Sequence, residues 1–246
     1  MTAAIAAGRR HLPRGYADFA YQVLIWFGFL LAYQLARGMA DRDPTRAFAN
    51  GWAVIDLEQR LTGLSELTLQ GWTQSSRFLE ELVSWTYWNS EFTVIGIALL
   101  WVYMRRNAAF TRFRNTILLA NGLGLIGYVL LPTAPPRFFP SIGFSDTLDQ
   151  FGGLNHGSGL IELAANPYAA MPSLHAADAL IVGVILASVV RRPFWKAVWL
   201  IWPLWVAFAV MATGNHFWLD VLAGVALGAV ALAIVYHEKV RSLFAR

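Results

Sequence analysis

Cysteine is absent from the chain. That removes disulfides and thiolate chemistry and says nothing reliable about compartment. Charge is scarce: 14% of residues are Asp, Glu, Lys or Arg, against about 25% in soluble domains. There is no HExxH zinc signature, no internal repeat and no low-complexity tract. Residues 1–15 are basic but have no clear apolar core and no small-residue cleavage site, so no cleaved signal peptide is expected. What is abundant is apolar surface: 57% of residues are hydrophobic, eleven are Trp, and mean hydropathy is +0.48. With 246 residues, this composition predicts an integral membrane protein with one polytopic domain. The net charge of +4 is not a nucleic-acid signal, because it is first distributed over the two sides of a membrane.

The expected fold is all-α, with six transmembrane helices at 19–36, 78–104, 115–131, 171–190, 194–211 and 217–236. A basic arm over 1–18 and a tail over 237–246 flank a single membrane domain over 19–236. Residues 37–77 mix charges with Trp52, Ile55, Leu57, Leu61, Leu64, Leu67 and Trp72, which suits one or two short amphipathic helices on the membrane surface. The second span is the most polar. It carries Tyr87, Asn89 and Glu91, and Glu91 is followed by thirteen uncharged residues. An ionisable group this deep in a span is a functional candidate; the bland alternative is an interfacial carboxylate paired with an Arg. The third span holds Gly122, Gly124 and Gly127, which permit close helix contact. A long loop, 132–170, follows it and contains Arg137, His156 and the stiff Pro135 and Pro136; loops of this length in a compact domain are usually functional. Thirteen of the nineteen Lys and Arg fall on the side of the termini. Both termini are therefore expected in the cytoplasm of a multi-pass cell-membrane protein, with Arg137, Ser173, His175 and 213–220 on the outer face.

The chain is organised around NPYAAMPSLHAAD, residues 166–178. Pro172 can occupy the first turn of a helix, where its missing N–H costs nothing. Ser173 offers a hydroxyl beside unsatisfied backbone N–H groups, a setting that suits an anion such as phosphate. His175 can donate or accept a proton near neutral pH, and Asp178 closes the stretch. A capped helix start with an incidental His is the bland alternative. Further on, ATGNHFWLDVLAG places Asn215 beside His216, and His216 four residues before Asp220. If that segment is helical, His216 and Asp220 share a face, and Asp220 can fix the tautomer of His216; a structural His/Asp pair is the alternative. An Arg fork, a Ser at a helix start, two His and an Asp suit phosphoryl transfer without a metal. A zinc site from His156, His175, His216 and Asp220 is available in residue type, but it leaves the Arg and the helix start without a role.

PSLH at 172–175 resembles the PSGH motif of the type 2 phosphatidic acid phosphatase (lipid phosphate phosphatase) superfamily. HFWLD at 216–220 is similar to its HxxxD motif, and TAPPR at 133–137 resembles the Arg-bearing first motif of its inositol phosphorylceramide synthase branch. The resemblance implies His216 as the nucleophile, Asp220 as its orienting partner and His175 as the acid and then the base. It implies Arg137 and Ser173 as phosphate holders, no cofactor, and membrane lipids and a lipid phosphate as partners. Two cations frequent in the superfamily are replaced here by Leu130 and Val210, which favours the synthase-like branch. Tyr87, Asn89, Glu91, His156, Asp178 and Asn215 are further candidates for substrate contact. Three functions compete: a phosphatase that cleaves lipid phosphate mono- or diphosphate esters at the outer face, a head-group transferase with an alcohol acceptor, and a transporter. Glu91 and the glycine-rich helices favour the last, but the repeated halves of many transporters are not visible in the sequence.

Overall fold

The computed structural model describes residues 12–39, 43–148 and 167–237. His156, Arg9, Arg10, the tail beyond 237 and residues 149–166 of the long loop lie outside them. The described chain is almost entirely helical. Four helices are long and apolar enough to cross a membrane. They are α1 (Gly15–Met39), α6 (Asn107–Leu130), α8 (Pro193–Ala212) and α9 (Trp218–Val235). Two shorter apolar helices, α5 (Thr93–Arg105) and α7 (Leu174–Val189), complete the bundle. The protein is a polytopic membrane protein, and its lipid-facing residues show it: Leu24, Phe27, Leu31, Leu200, Ile201 and Leu204 are all more than half exposed.

The amphipathic segment forms two helices, α2 (Pro44–Leu61) and α3 (Ser65–Gln74). Asp43 caps α2 by accepting from Arg46 N, and Pro44 takes the first-turn position its ring suits. Between the two helices the chain turns through positive φ at Gly63 and Leu64.

Several spans differ from the sequence expectation. The second is not continuous: α4 (Arg77–Ser90) stops and α5 restarts at Thr93. The break falls on Glu91 and Phe92, which keep near-helical dihedrals. Neither is Pro or Gly, so the usual breaker signal is missing. The third span begins eight residues early, and Arg112 and Arg114 lie inside α6 rather than in a basic loop. Pro172 is not in the first turn of α7. It precedes the cap Ser173, after a cis Met171–Pro172 bond.

α7 is the central helix, and α6, α8 and α9 pack around it. Small residues set the spacing. A Cβ at Gly124 would lie 2.5 Å from the Leu174 side chain, and one at Gly127 would lie 2.5 Å from Pro172 Cδ. On the other flank, a Cβ at Gly224 would meet Ser173 O at 2.0 Å and one at Gly228 would meet Ala177 O at 2.8 Å. The start of α7 is thus held between glycine faces of α6 and α9, whereas Gly122 has open space around it. The two ends of the long loop are joined to each other. Thr133 bridges Ala169, with Thr133 N donating to Tyr168 O and Ala170 N to Thr133 O.

Candidate active site

Ser173 is fully buried and accepts from Ala176 N with its hydroxyl, so it caps α7 and fixes where His175 stands in the first turn. Its N–H donates to Asp220 O at 2.9 Å, which ties the start of α7 to α9. His175 is 8% exposed. Tyr87 of α4 stacks on its ring, with centroids 4.5 Å apart and planes 22° apart. His175 Nε2 lies 3.5 Å from Glu91 Oε2. The helix break at Glu91 therefore sits where its carboxylate reaches His175.

His216 does not share a helix with Asp220. It precedes α9, at the end of a tight turn in which Gly214 takes φ +72°. A Cβ at Gly214 would sit 2.6 Å from Ser145 O, so glycine is needed there on both counts. Asn215 N and His216 N both donate to Val210 O, which closes the turn. Asp220 is the third residue of α9 and accepts from Phe217 N at 2.8 Å. Its Oδ2 then lies 3.5 Å from His216 Nδ1. The pair expected from helical spacing is made instead by a helix-capping carboxylate and the residue just before the helix.

Arg137 lies in a 3₁₀ turn, Pro136–Phe138. Its N–H donates to Gly214 O at 2.8 Å, joining the two loops of the site. The guanidinium donates to Asn215 Oδ1, approaches Asp146 Oδ2 at 3.5 Å and covers the Phe138 ring at 4.9 Å. Asn215 in turn donates to Thr213 O and Oγ1. A cleft is lined by Tyr87, Glu91, Tyr128, Arg137, His175, Asn215 and His216, with Pro135, Pro167, Ala169 and Ala170 completing its wall. Across it the two histidine rings stand 5.7 Å apart, inclined at 61°. Each ring has a carboxylate 3.5 Å from one nitrogen, Glu91 for His175 and Asp220 for His216.

Not every candidate converges. Ser173 does not line the cleft. Asn89 donates to Trp85 O within its own helix and is not a cleft residue. Asp178 lies deeper along α7, where Asn121 donates to both its oxygens at 2.9 and 3.0 Å. It lines a small cavity that Glu91 also borders, beneath the cleft. Among the described residues no three His, Asp or Glu surround one point that would hold a metal.

The structure adds residues that sequence reading missed, and most come from α2 and α3. Asn50 donates to Pro132 O, Gln70 donates to Ser145 O and accepts from Ser145 N, and Gln74 donates to Ser145 Oγ. Glu66 and Glu58 accept from Trp218 N and Leu219 N at the start of α9. A signal was present. Ala47, Gly51, Ile55 and Glu58 recur at spacings of four, four and three, so Glu58 sits on the stripe that is buried.

Phosphoinositol dihydroceramide synthase of Bacteroides thetaiotaomicron is 27% identical over 144 residues, covering 50% of this chain and 44% of that protein. The chain thus spans under half the length of this curated relative. The crystal structure of Aquifex aeolicus LpxE superposes with a TM-score of 0.49 at 17% identity, over 66% of this chain and 87% of that one. The PAP2 superfamily profile matches residues 52–234, a span that takes in Glu91, Arg137, His175, His216 and Asp220 alike, and the chain belongs to the PAP2 superfamily.

Proposed function

We propose that the chain hydrolyses lipid phosphate esters through a phosphohistidine on His216, at the outer face of the cell membrane. Membership of a family of membrane phosphatases and phosphotransferases supplies the coarse reading. The observation that carries the finer one is the pair of facing histidines, each backed by a carboxylate, with Arg137 on the same cleft.

Asp220 faces His216 Nδ1, so Nε2 is the attacking atom. Nε2 forms a bond to phosphorus as the bond from phosphorus to the lipid oxygen breaks. His175 gives its proton to that oxygen; Glu91 is its ion-pair partner while the proton is held. Water then attacks phosphorus, His175 takes a proton from it, and the bond to nitrogen breaks. Arg137 offers its donors to the non-bridging oxygens, and Asn215 and Asp146 hold its fork in place. Ser173 serves by capping the helix that carries His175.

A second reading replaces water with an alcohol. It is favoured by the similarity to phosphoinositol dihydroceramide synthase and by Leu130 and Val210 standing where cations are frequent. The test is purified protein on a panel of lipid phosphates and phosphodiesters, following free phosphate and new lipid products separately. Phosphate release supports hydrolysis; a new lipid without phosphate release supports transfer. His216→Ala abolishes both and removes acid-labile label on the protein; retention of more than a few per cent of activity takes the nucleophile role from His216.

A further inference from the structure

The mechanism leaves two buried carboxyl groups unused. Glu58 and Glu66 are both 0% exposed. Neither has an ion-pair partner among the described residues. Glu58 Oε1 accepts from Leu219 N and Glu66 Oε1 from Trp218 N, both at 2.6 Å. With Asp220 on Phe217 N, three carboxyl groups bind three consecutive N–H groups that follow His216 directly. A helix start leaves its first N–H groups without partners inside the helix, and its dipole favours negative charge there. Two of the three acceptors come from other helices, α2 and α3, so the bonds that satisfy the start of α9 also tie it to them.

We propose that Glu58 and Glu66 are positioning residues for the nucleophile: together they clamp the α9 start to α2 and α3 and fix His216 against Asp220 and His175. The inference rests on the nucleophile role proposed for His216. Two like charges this close and this dry do not both ionise. Burial first, and then the hydrogen bond to Glu66, push the Glu58 carboxyl up to about 9, against the lowering effect of Leu219 N–H. The pair therefore holds a proton at neutral pH. The second oxygen of each glutamate is buried and has no other partner, so that proton can bridge them while each Oε1 keeps its backbone N–H. The titratable groups facing Glu58 are Glu66 from α3 and Asp220 from α9, and both act in the same direction.

The test uses the full chain in detergent, with activity normalised to monodisperse folded protein. Glu58→Ala and Glu66→Ala each remove an acceptor and should lower kcat by about 100-fold, the scale of an ångström misplacement, with KM within threefold. Glu58→Gln keeps an oxygen for Leu219 N and an N–H for Glu66, so it should retain kcat within threefold at neutral pH. It should also lose the additional fall in kcat near pH 9 that the wild-type pair shows when its last proton leaves, on top of the fall both proteins share as His175 loses the proton it donates. Wild-type kcat in either alanine variant, or identical alkaline profiles for wild type and Glu58→Gln, overturns the proposal; the Gln arm stands even if the alanine variants do not fold. Orthovanadate, a phosphate mimic, separates the two layers of reasoning. If it fails to raise the melting temperature of wild-type protein, the phosphate-site reading fails. If it stabilises wild type, Glu58→Gln and Glu58→Ala equally, the clamp fails alone.

Discussion

Replacing Gly224 by Ala probes the spacing between the histidine-bearing segments. The new Cβ would stand 2.0 Å from Ser173 O, 3.0 Å from its carbonyl carbon and 3.2 Å from Ala176 Cβ. Real Cβ contacts essentially never fall under 3.0 Å, and the nearest obstacle is backbone, so α7 or α9 must shift by about 1 Å. That shift acts on the shortest link between the two histidines, because Ser173 both caps the helix of His175 and donates to Asp220 O. A displacement of about 1 Å costs up to about 100-fold in rate, and overpacking costs about 1–3 kcal/mol of stability. The expected result is kcat per folded molecule about 100-fold lower, with a lower melting temperature in detergent. Gly122→Ala is the control: nothing lies within 4 Å of its Cβ, so its kcat should stay within twofold. Turnover of Gly224→Ala within threefold of wild type would refute the claim that glycine contact sets the histidine spacing.

Other outcomes follow from the same geometry. His175→Ala should slow turnover by about 10²–10⁴-fold, and the loss should shrink with a substrate whose leaving group needs no protonation; equal losses would make His175 merely structural. Phosphate release should survive EDTA, because Arg137 is proposed to hold the anion; activity lost to chelation and restored by metal would contradict this. On sidedness, the chain has no native Cys, so Ser141→Cys, exposed beside Arg137, should react with an impermeant maleimide in intact cells. Arg191→Cys, exposed between α7 and α8, should react only after permeabilisation; the reverse pattern overturns the orientation.

The residues proposed for the chemistry were legible because they sit at helix starts and turns, where sequence carries a signal. Ser173, His175, His216, Asp220 and Arg137 are all beside caps, prolines or glycines. Their geometry was less so. Helical spacing correctly paired His216 with Asp220 but for the wrong reason, since the helix begins two residues later and Asp220 reaches back as its cap. Apolar runs located the apolar helices, yet nothing in the local sequence marked the break at Glu91, which faces His175 across the cleft and has no Pro or Gly beside it. The surface segment was read as amphipathic, which is right for exposed Trp52, Leu57, Leu61 and Trp72. Its opposite face was not read at all. A glutamate is by default assigned to solvent, and only the spacing of Glu58 with Ala47, Gly51 and Ile55 argued otherwise.

The bridge between Thr133 and Ala169 has a bearing on how Arg137 is held. It joins the two described ends of the long loop, and Arg137, just past it, is anchored separately to Gly214 O. The position of Arg137 is therefore set by the turn before His216 rather than by the bridge. The fold thus gives the proposed phosphate holder and the proposed nucleophile one shared anchor, so a displacement of the Gly214 turn carries both together.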